Sequence, residues 1–599
     1  MRWTARRALA VSSAAVVGLT GVGAVAWNLP DGGVASFTAA SGRPAPRGVG
    51  AAKIGTTDYK VPRDAVVVSP SGDDNAKGTL DAPVATLNRA VDAATDGATI
   101  VLRGGTYHET VELPAGKRLT VQSYPGEAVW LDGSSPVGDW RAEDGAWVRD
   151  GWTARFDHSP SYTKGAPADP DPDFSFVSPK HPMAAHPDQV WIDGVAQRQV
   201  GSRDGVRGGT FYVDEAAQRL YLGSDPRGRD VRASTLDEAV TVRSDGSVLR
   251  GVGVRRYATS LPQLGAVKVA AKDVRIENVA VTDCATTGLS VLSSGARVEH
   301  LTTTRNGLLG VHANQADDLV LDRVLATRNN LEHFKYSPVS GGIKVTRSRD
   351  VRVTDGAMLD NLGKGVWLDE SVDGITITGD RIAGNADHGI SLELSAAAVV
   401  ANNLVRDNGG TGLKVNNTAN VKIWNNTFVG NQRTVHLVQD PRSPDDPSTP
   451  GRDPRRDYPD PDMTWRLGGV DMSDNLLAVP RDGAPCLLCV EDATGRRGGG
   501  DMDLALDGNV YVRRSVNRPA AAVLWPTKPG RPESFDTLAA FRSGTGQERA
   551  GRAEDSAAPD DGPDAWAKAN AKAARPLPED VARLVGKPAG TRRIGAWLS

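Results

Sequence analysis

The sequence predicts an all-β solenoid of parallel strands, and three observations predict this fold class. Glycine followed by an aliphatic residue recurs through the middle of the 599-residue chain. Asparagine recurs with the same period, and short runs of alternating apolar residues lie between the two series. Repeats of about 23 residues made only of strands and turns are typical of β-solenoids, in which each coil stacks on the next.

The glycine series sets the length of a coil. Its steps are 23, 22, 32, 23, 24 and 23 residues, and the single long step leaves room for a loop. The pairs begin at Gly265, Gly288, Gly310, Gly342, Gly365, Gly389 and Gly412.

The asparagine series favours the same stack of coils. An asparagine at one turn of every coil can donate its amide to one neighbour and accept from the other. Alternating runs such as 375–377 and 421–423 predict strands with one buried face. Leucine-rich repeats are the competing fold, but their Leu-x-x-Leu-x-Leu signature is absent. The series comprises Asn306, Asn329, Asn361, Asn385, Asn408 and Asn431.

The N-terminus predicts export. Arg2, Arg6 and Arg7 precede an apolar stretch over 8–27, and 24–26 can serve as a signal-peptidase site. We expect 1–26 to be a cleaved signal peptide, with an uncleaved membrane anchor as the alternative. The product would be secreted or held on the outer face of the cytoplasmic membrane. A net charge of −3 gives no reason to expect nucleic acid as a partner.

The remaining segments predict a solenoid with additions. A linker over 27–61 leads to a strand, an amphipathic helix and a second strand, which predict an N-terminal cap and first coils over 62–133. Aromatic clusters in 134–235 indicate an inserted β-sandwich. The β-helix core follows over 236–545, with a loop at about 440–463 lying over one side. We expect a polar tail at 546–599, disordered apart from a short helix at 578–584.

Cysteine is rare in this chain. Cys486 and Cys489 are separated by two residues, and Cys284 stands apart. No second cysteine pair and no nearby histidine accompany them, which disfavours zinc. A local disulfide and two buried thiols are the two interpretations of the pair.

The chemistry follows from laying the coils over one another. If the aliphatic residue after each glycine faces inward, the second and fourth positions after the glycine face outward on one sheet. The second positions are His312, Lys344, Trp367, Ser391 and Lys414, and the fourth positions are Asn314, Thr346, Asp369, Glu393 and Asn416.

Asp369 and Glu393 are therefore predicted neighbours. Adjacent strands lie roughly 4.8 Å apart, close to the roughly 5 Å between the carboxyl groups of retaining glycosidases. Two close carboxyl groups also push one pKa upward, which provides a general acid. Trp367 can offer its face to a sugar ring. Lys344 and Lys414 flank the pair by one coil each and can bind hydroxyl groups.

Four alternatives compete with a hydrolase. Outward carboxylates are often only solvated, and the oxygens of Asp369, Glu370 and Glu393 would also suit a Ca²⁺ site. A polysaccharide lyase of the pectate-lyase type would use Lys344 or Lys414 as its base beside such an ion. A solenoid that binds glycan without catalysis is the fourth alternative.

The coils around the two carboxylates resemble a known family. The cap resembles that of secreted right-handed β-helix carbohydrate enzymes, and the motifs resemble the active-site coils of glycoside hydrolase family 120 β-xylosidases. These motifs are Gly365-Val366-Trp367-Leu368-Asp369, then Leu392-Glu393-Leu394 one coil later, and then Asn402-Asn403.

The resemblance spans about 62–435 and is strong over about 40 residues. It implies a retaining enzyme on a right-handed parallel β-helix with an inserted β-sandwich. It also implies that Asp369 is the nucleophile and Glu393 the acid/base. Glu370-Ser371 and Leu394-Ser395-Ala396 stand where that family has aromatic and His-Gly-Pro residues, so the contacts to sugar are expected to differ.

Two histidines complete the predicted site. His333 begins the lengthened coil before Gly342 and is placed to wall the site. His388 directly precedes Gly389 and can either reach the site or support a turn. We expect a monomer that acts on an oligo- or polysaccharide without an organic cofactor, with Ca²⁺ as the one metal ion that the carboxylates would suit.

Overall fold

The chain folds as a right-handed parallel β-helix. The computed structural model describes residues 43–446, 449–558 and 561–598. Three sheets of 13 strands each enclose the core. The predicted signal peptide and the first part of the linker lie outside the described residues. Within the described ranges, no helix is both long and apolar enough to cross a membrane.

The strands of each sheet follow one another along the solenoid. Sheet 1 consists of Val66–Val68, Thr99–Leu102, Thr120–Ser123, Val248–Arg250, Arg275–Glu277, Arg297–Glu299, Val320–Asp322, Arg352–Thr354, Ile375–Thr378, Ala396–Ala401, Ala419–Trp424, Gly468–Ser473 and Leu504–Asp507. Sheet 2 consists of Val111–Leu113, Val240–Val242, Val267–Val269, Leu289–Val291, Leu309–Asn314, Gly341–Thr346, Lys364–Asp369, Ile390–Glu393, Thr411–Asn416, Arg433–Gln439, Cys486–Asp492, Ala521–Lys528 and Arg531–Phe535. Sheet 3 consists of Gly105–Tyr107, Val129–Asp132, Gly253–Arg255, Ala280–Thr282, Thr302–Thr304, Leu325–Thr327, Ala357–Leu359, Arg381–Ala383, Leu404–Arg406, Thr427–Val429, Leu476–Ala478, Val510–Val512 and Arg552–Glu554.

Helices are few and short in the part of the chain that the structure describes. One covers the first coils, one lies in the lengthened coil before Gly342, and three follow the last strands of sheet 2. The α-helices are α1 (Leu87–Ala93), α2 (Tyr336–Val339), α3 (Leu538–Thr545), α4 (Pro563–Ala569) and α5 (Glu579–Leu584), and the 3₁₀ turns are Arg203–Gly205, Leu261–Gln263, Gly499–Asp501 and Ala571–Ala573.

The glycine series marks a close approach between coils. A Cβ atom added to Gly342 would lie 2.6 Å from the carbonyl oxygen of Gly365, so any larger residue would push the coils apart. The strand register confirms the series from Gly288 onward. The first member is wrong by one residue. Because Val267 pairs with Leu289, the glycine position of that coil holds Ala266.

The asparagine series forms the predicted ladder. Each side-chain amide donates to the amide oxygen of the next member over 2.8–3.0 Å. All six side chains are fully buried, so the ladder replaces the hydrogen bonds that water would make.

A second ladder runs parallel to the first and was not predicted. Asn403 donates to Asn426, Asn426 to Asn475, and Asn475 to Asn509, which ends on Glu548. Its steps include 49, 34 and 39 residues, because loops of different length interrupt these coils. A search for one constant period therefore misses it.

The inserted segment lies between the first and the later coils. It forms one eight-stranded sheet, and strands from both of its halves share an apolar cluster that contains Ile192 and Phe211. A long loop between its strands crosses onto the solenoid, where Phe176 packs against Leu309 and Phe334. In sheet order the strands are Ser134–Pro136, Val231–Ser234, Val190–Ile192, Val195–Gln199, Thr210–Asp214, Arg219–Leu222, Ala146–Asp150 and Arg141–Glu143.

The C-terminal segment is ordered where it is described, contrary to the prediction of a disordered tail. Arg552–Glu554 forms the last strand of sheet 3. Trp566 of α4 packs on Leu476, and Val581 of α5 packs near Trp424. The tail is polar on average, but its few apolar side chains cover outward apolar residues of the last coils, and this burial orders it.

The described part of the predicted linker is also bound to the solenoid. The backbone amides of Gly50 and Ala51 donate to Arg323 and Thr302, and the hydroxyl of Tyr59 donates to Glu277.

Cys486 and Cys489 form a disulfide, and Cys284 is a buried free thiol.

Candidate active site

The register of sheet 2 brings the predicted outward residues together. Lys344 pairs with His312 on one side and Trp367 on the other. Thr346 pairs with Asp369, Ser391 with Lys414, and Glu393 with Asn416. Asp369 and Glu393 therefore end adjacent strands of one sheet, as the spacing predicted.

Asp369 is fully buried at the end of its strand. Its Oδ2 lies 3.2 Å from the Nζ of Lys344, and its Oδ1 accepts the backbone N–H of Glu370 over 2.8 Å. Burial raises the pKa of Asp369 to about 7, and Glu393 adds to this rise while Lys344 opposes it. Burial therefore favours the protonated form of Asp369 more than it would be favoured at an exposed aspartate.

Glu393 has the opposite charge state. Its Oε2 accepts the indole N–H of Trp367 over 3.1 Å, and its Oε1 lies 2.6 Å from the Nη2 of Arg442. Burial acts to raise the pKa of Glu393, but Arg442 and Lys414 outweigh it and lower the pKa to about 2. The pKa values of the two carboxyl groups are thus shifted in opposite directions, raised for Asp369 and lowered for Glu393.

Trp367 does not offer a free face to a sugar. The Nζ atoms of Lys344 and Lys364 lie 3.5 and 3.9 Å from the centroid of the Trp367 ring. The side chain is buried, so the predicted stacking surface is covered by two ammonium groups. Its contribution is the indole N–H that holds Glu393.

The lengthened coil before Gly342 accepts hydrogen bonds from Lys344 and Lys364. Pro338 accepts a hydrogen bond from Lys344 over 2.6 Å, and the carbonyl of Tyr336 accepts one from Lys364 over 3.1 Å. Lys364 also pairs with Asp387 over 3.0 Å. Lys364 was not predicted, because it lies just before the glycine, outside the two positions used for outward residues.

His312 pairs with Lys344 one coil before Asp369, and Glu370 directly follows Asp369 in the chain. His312 contacts Ser290 and stacks on Tyr162 from the inserted segment at 5.6 Å. Burial, together with Lys344, lowers the pKa of His312 to about 4, so the ring is neutral near pH 7. Glu370 pairs with Arg347 over 2.5 Å.

The two other predicted histidines make structural contacts. The Nδ1 atom of His388 accepts the backbone N–H of Thr411 over 3.0 Å, which supports the turn interpretation. Burial lowers the pKa of His388 to about 3. His333 stacks on His181 of the inserted segment at 4.4 Å and joins that segment to the lengthened coil.

Arg442 is the main residue that the sequence did not reveal. It lies in the loop predicted to cover one side of the solenoid, and this loop also places Met463 and Trp465 on Leu394. The loop contains several arginines, and nothing in their spacing tells which one reaches the carboxylates. In the described part of the chain, no group of three or more His, Cys, Asp or Glu side chains is arranged to hold a metal ion.

Comparison with known proteins supports the fold over part of the chain. A family model described as a right-handed beta helix region matches residues 265–442. Pectate lyase PEL9 of Emericella nidulans is 44% identical over 79 residues, which are 12% of this chain and 19% of that protein. The uncharacterized protein YwoF of Bacillus subtilis is 40% identical over 76 residues, 12% of this chain and 16% of that protein.

The structure of XylC with xylose is similar in fold over most of both chains. The complex of XylC with xylose has a TM-score of 0.58 and 16% sequence identity, and the match covers 75% of this chain and 83% of that one. The chain spans less than a fifth of the two curated relatives. Together with the three 13-stranded sheets, these similarities establish the right-handed parallel β-helix as the fold of this chain.

Proposed function

We propose that this chain is a glycoside hydrolase that cleaves a glycosidic bond of plant or microbial glycan with Asp369 and Glu393. The observation that carries the proposal is a pair of buried carboxyl groups on adjacent strands, one beside Lys344 and one beside Arg442, whose pKa values are shifted in opposite directions. A two-carboxylate hydrolase needs one proton donor and one ionised group. The similarity in fold to XylC, whose complex contains xylose, and the short match to a pectate lyase support a carbohydrate as substrate.

We infer the roles from the directions of the two pKa shifts. Burial raises the pKa of Asp369, so Asp369 would protonate the leaving oxygen, after which Lys344, 3.2 Å away, would stabilise the new carboxylate. Against the effect of burial, Arg442 and Lys414 lower the pKa of Glu393, so Glu393 would attack the anomeric carbon. These roles are the reverse of those that the resemblance to family 120 implies. Neighbouring strands lie roughly 4.8 Å apart, which favours retention of configuration over inversion.

Substrate contacts would come from polar atoms that have no protein partner. The Oγ of Ser391, the Oδ1 of Asn416 and the Nη1 of Arg442 are buried, lack a hydrogen bond in the described structure, and belong to residues beside Glu393. Buried polar atoms of this kind favour a ligand rich in hydroxyl groups. Lys414, half-buried one strand from Ser391, would contribute an ammonium group.

The test is a substrate screen with the purified full chain. Aryl glycosides report hydrolysis through released phenol, and each assay runs with and without EDTA. We expect phenol release that resists EDTA and falls at least about 1,000-fold in D369N and E393Q, because each removes one of the two groups. E299Q, a matched change at an exposed glutamate of sheet 1, is expected to keep wild-type activity. Full activity in D369N would refute the proposal.

A polysaccharide lyase is the second candidate, favoured by the 44% identical stretch shared with pectate lyase PEL9. Lys414 has no ion pair among the described residues and would be its base. Uronic-acid polymers would then give unsaturated products, measured as an EDTA-sensitive rise in ultraviolet absorbance that K414M abolishes. Absence of both signals would favour binding without catalysis.

We propose that the protein acts outside the cytoplasm as a monomer. The basic and apolar N-terminal sequence supports export, and the disulfide between Cys486 and Cys489 suits an oxidising compartment. N-terminal sequencing of protein recovered from the culture medium tests this. A mature chain that begins near residue 27 is expected, whereas recovery only in the membrane fraction would indicate the uncleaved anchor.

A further inference from the structure

One arginine of the covering loop reaches the carboxylate pair. The Nη2 atom of Arg442 lies 2.6 Å from Glu393 Oε1 and 2.6 Å from Asp440 Oδ2. The Arg442 side chain is only 12% exposed. Water and salt screen the Coulomb attraction within such a shielded ion pair less than within a pair at the surface.

The position of Arg442 is fixed by a chain of hydrogen bonds. Asp440 accepts from the Nε and the backbone N–H of Arg442 over 3.0 and 2.9 Å. The side chains of Asn416 and Asn417 donate to Asp440 over 3.0 and 2.8 Å. Asn416 ends the sheet 2 strand next to Glu393 and Asn417 follows it, so the end of this strand positions the arginine.

The other charges near the pair cannot replace Arg442 at this distance. Lys344 is bound to Asp369, and Lys364 is bound to Asp387. Lys414 acts on Glu393 from farther away, since it makes no ion pair within the described residues. The charged groups that face the pair are Lys344, Lys364, Glu370, Asp387, Lys414, Asp440 and Arg442.

We propose that Arg442 is the positioning residue that keeps Glu393 ionised: its guanidinium, 2.6 Å from Glu393 Oε1, favours the carboxylate, and without this charge Glu393 is more easily protonated. The catalytic consequence of this inference rests on the proposed function, but the charge state of Glu393 does not. The pKa shifts agree, because Arg442 is the largest influence that lowers the pKa of Glu393.

The experiment is an infrared titration of the full chain. A protonated carboxyl group gives its own band. A band that is present in wild type and missing from D369N reports Asp369. A band that is present in wild type and missing from E393Q reports Glu393. In R442Q we expect Glu393 to titrate at least about one pH unit higher than in wild type, since a close opposite charge is lost. R442K, which keeps the charge, should restore most of the shift.

R455Q is the matched control. Arg455 lies in the same loop and pairs with Asp317 and Asp453, so its loss disturbs the loop without removing a charge from the carboxylates. Wild-type titration of both carboxyl groups in R442Q, or the same shift in R455Q, would overturn the inference. If R442Q shifts the titration but no variant cleaves any glycoside, the proposed function fails and the inference stands. Where glycosides are cleaved, the acidic limb of the kcat/KM profile of R442Q should move to higher pH by the same number of pH units as the titration of Glu393.

Discussion

Burial and the neighbouring cations together set the pKa of each carboxyl group of the site. Asp369 faces one lysine that already donates to Pro338, and burial dominates its pKa. Glu393 faces Arg442 at 2.6 Å, and Arg442 and Lys414 together outweigh the effect of burial on its pKa. Two carboxyl groups at the ends of adjacent strands therefore have pKa values shifted in opposite directions, which suits an acid and a nucleophile.

Replacement of Lys344 with methionine tests the cation beside Asp369. The ammonium group lowers the pKa of Asp369, so its loss should raise that pKa above about 7. Because the acid acts in its protonated form, activity falls as pH rises through this pKa. We expect the alkaline limb of the kcat/KM profile to move up by about one pH unit.

The control is K272M, which changes an exposed lysine. It should leave both limbs of the profile in place. A limb in K344M that stays in place or moves to lower pH would contradict the assignment of Asp369 as the acid.

Residues that lie on the coil repeat could be predicted, and residues outside it could not. Lys344, Trp367, Asp369, Glu393 and Lys414 occur at fixed distances from a glycine, so the period alone placed them on one face. Whether the face of Trp367 is free depends on Lys364, which covers the ring and is held by the lengthened coil. Neither Lys364 nor this coil belongs to the repeating positions. Arg442 comes from a loop whose path no period describes.

At the scale of elements, the asparagine ladders hold the coils in register. Each ladder amide satisfies its neighbour and also donates to a backbone carbonyl, as Asn361 does to Ala326 over 2.9 Å. The register in turn places the outward residues of sheet 2 beside one another. The first ladder was visible in the sequence because its coils are nearly equal in length, whereas variable loops concealed the second.

Replacement of Asn361 with alanine tests the ladder. The change leaves buried donors of Asn329 without an acceptor and removes the donor to Asn385. We expect the free energy of unfolding to fall by about 2–3 kcal/mol, as measured by urea unfolding. N517A, at an exposed asparagine, should change it by less than about 0.5 kcal/mol. Equal stability of the two variants would mean that the ladder does not hold the coils.

At the scale of the whole molecule, three additions converge on one face of the solenoid. The inserted segment supplies Tyr162, the lengthened coil orients the lysines, and the loop after Arg433–Gln439 supplies Arg442. The sequence predicted that these additions exist. It did not predict that the first and last would meet at one site, because their paths depend on packing between distant parts of the chain.

Three buried acids should each lower the stability of the fold as pH rises through about 7. Burial raises the pKa values of Asp369, Asp474 and Glu548 to about 7, above their values in the unfolded chain. The native state therefore holds a proton on each of these groups that the unfolded state has lost near pH 7, and the stability this provides is lost as pH rises through about 7. Buried histidines with lowered pKa values act in the opposite direction, so calorimetry compares wild type with E548Q. The Tm of wild type should fall relative to that of E548Q between pH 6.5 and pH 8.5, and a Tm difference that does not change with pH would contradict the raised pKa of Glu548.

The central claim is that Asp369 and Glu393 cleave glycosides as acid and nucleophile, and covalent trapping tests it most directly. Aryl 2-deoxy-2-fluoroglycosides of the sugars found in the substrate screen slow the second step of a retaining enzyme, so the glycosyl-enzyme intermediate accumulates. Mass spectrometry of the digested protein then locates the sugar. The account predicts an ester on Glu393. An ester on Asp369 would reverse the roles, and a sugar that is cleaved without attachment to either residue would contradict the mechanism.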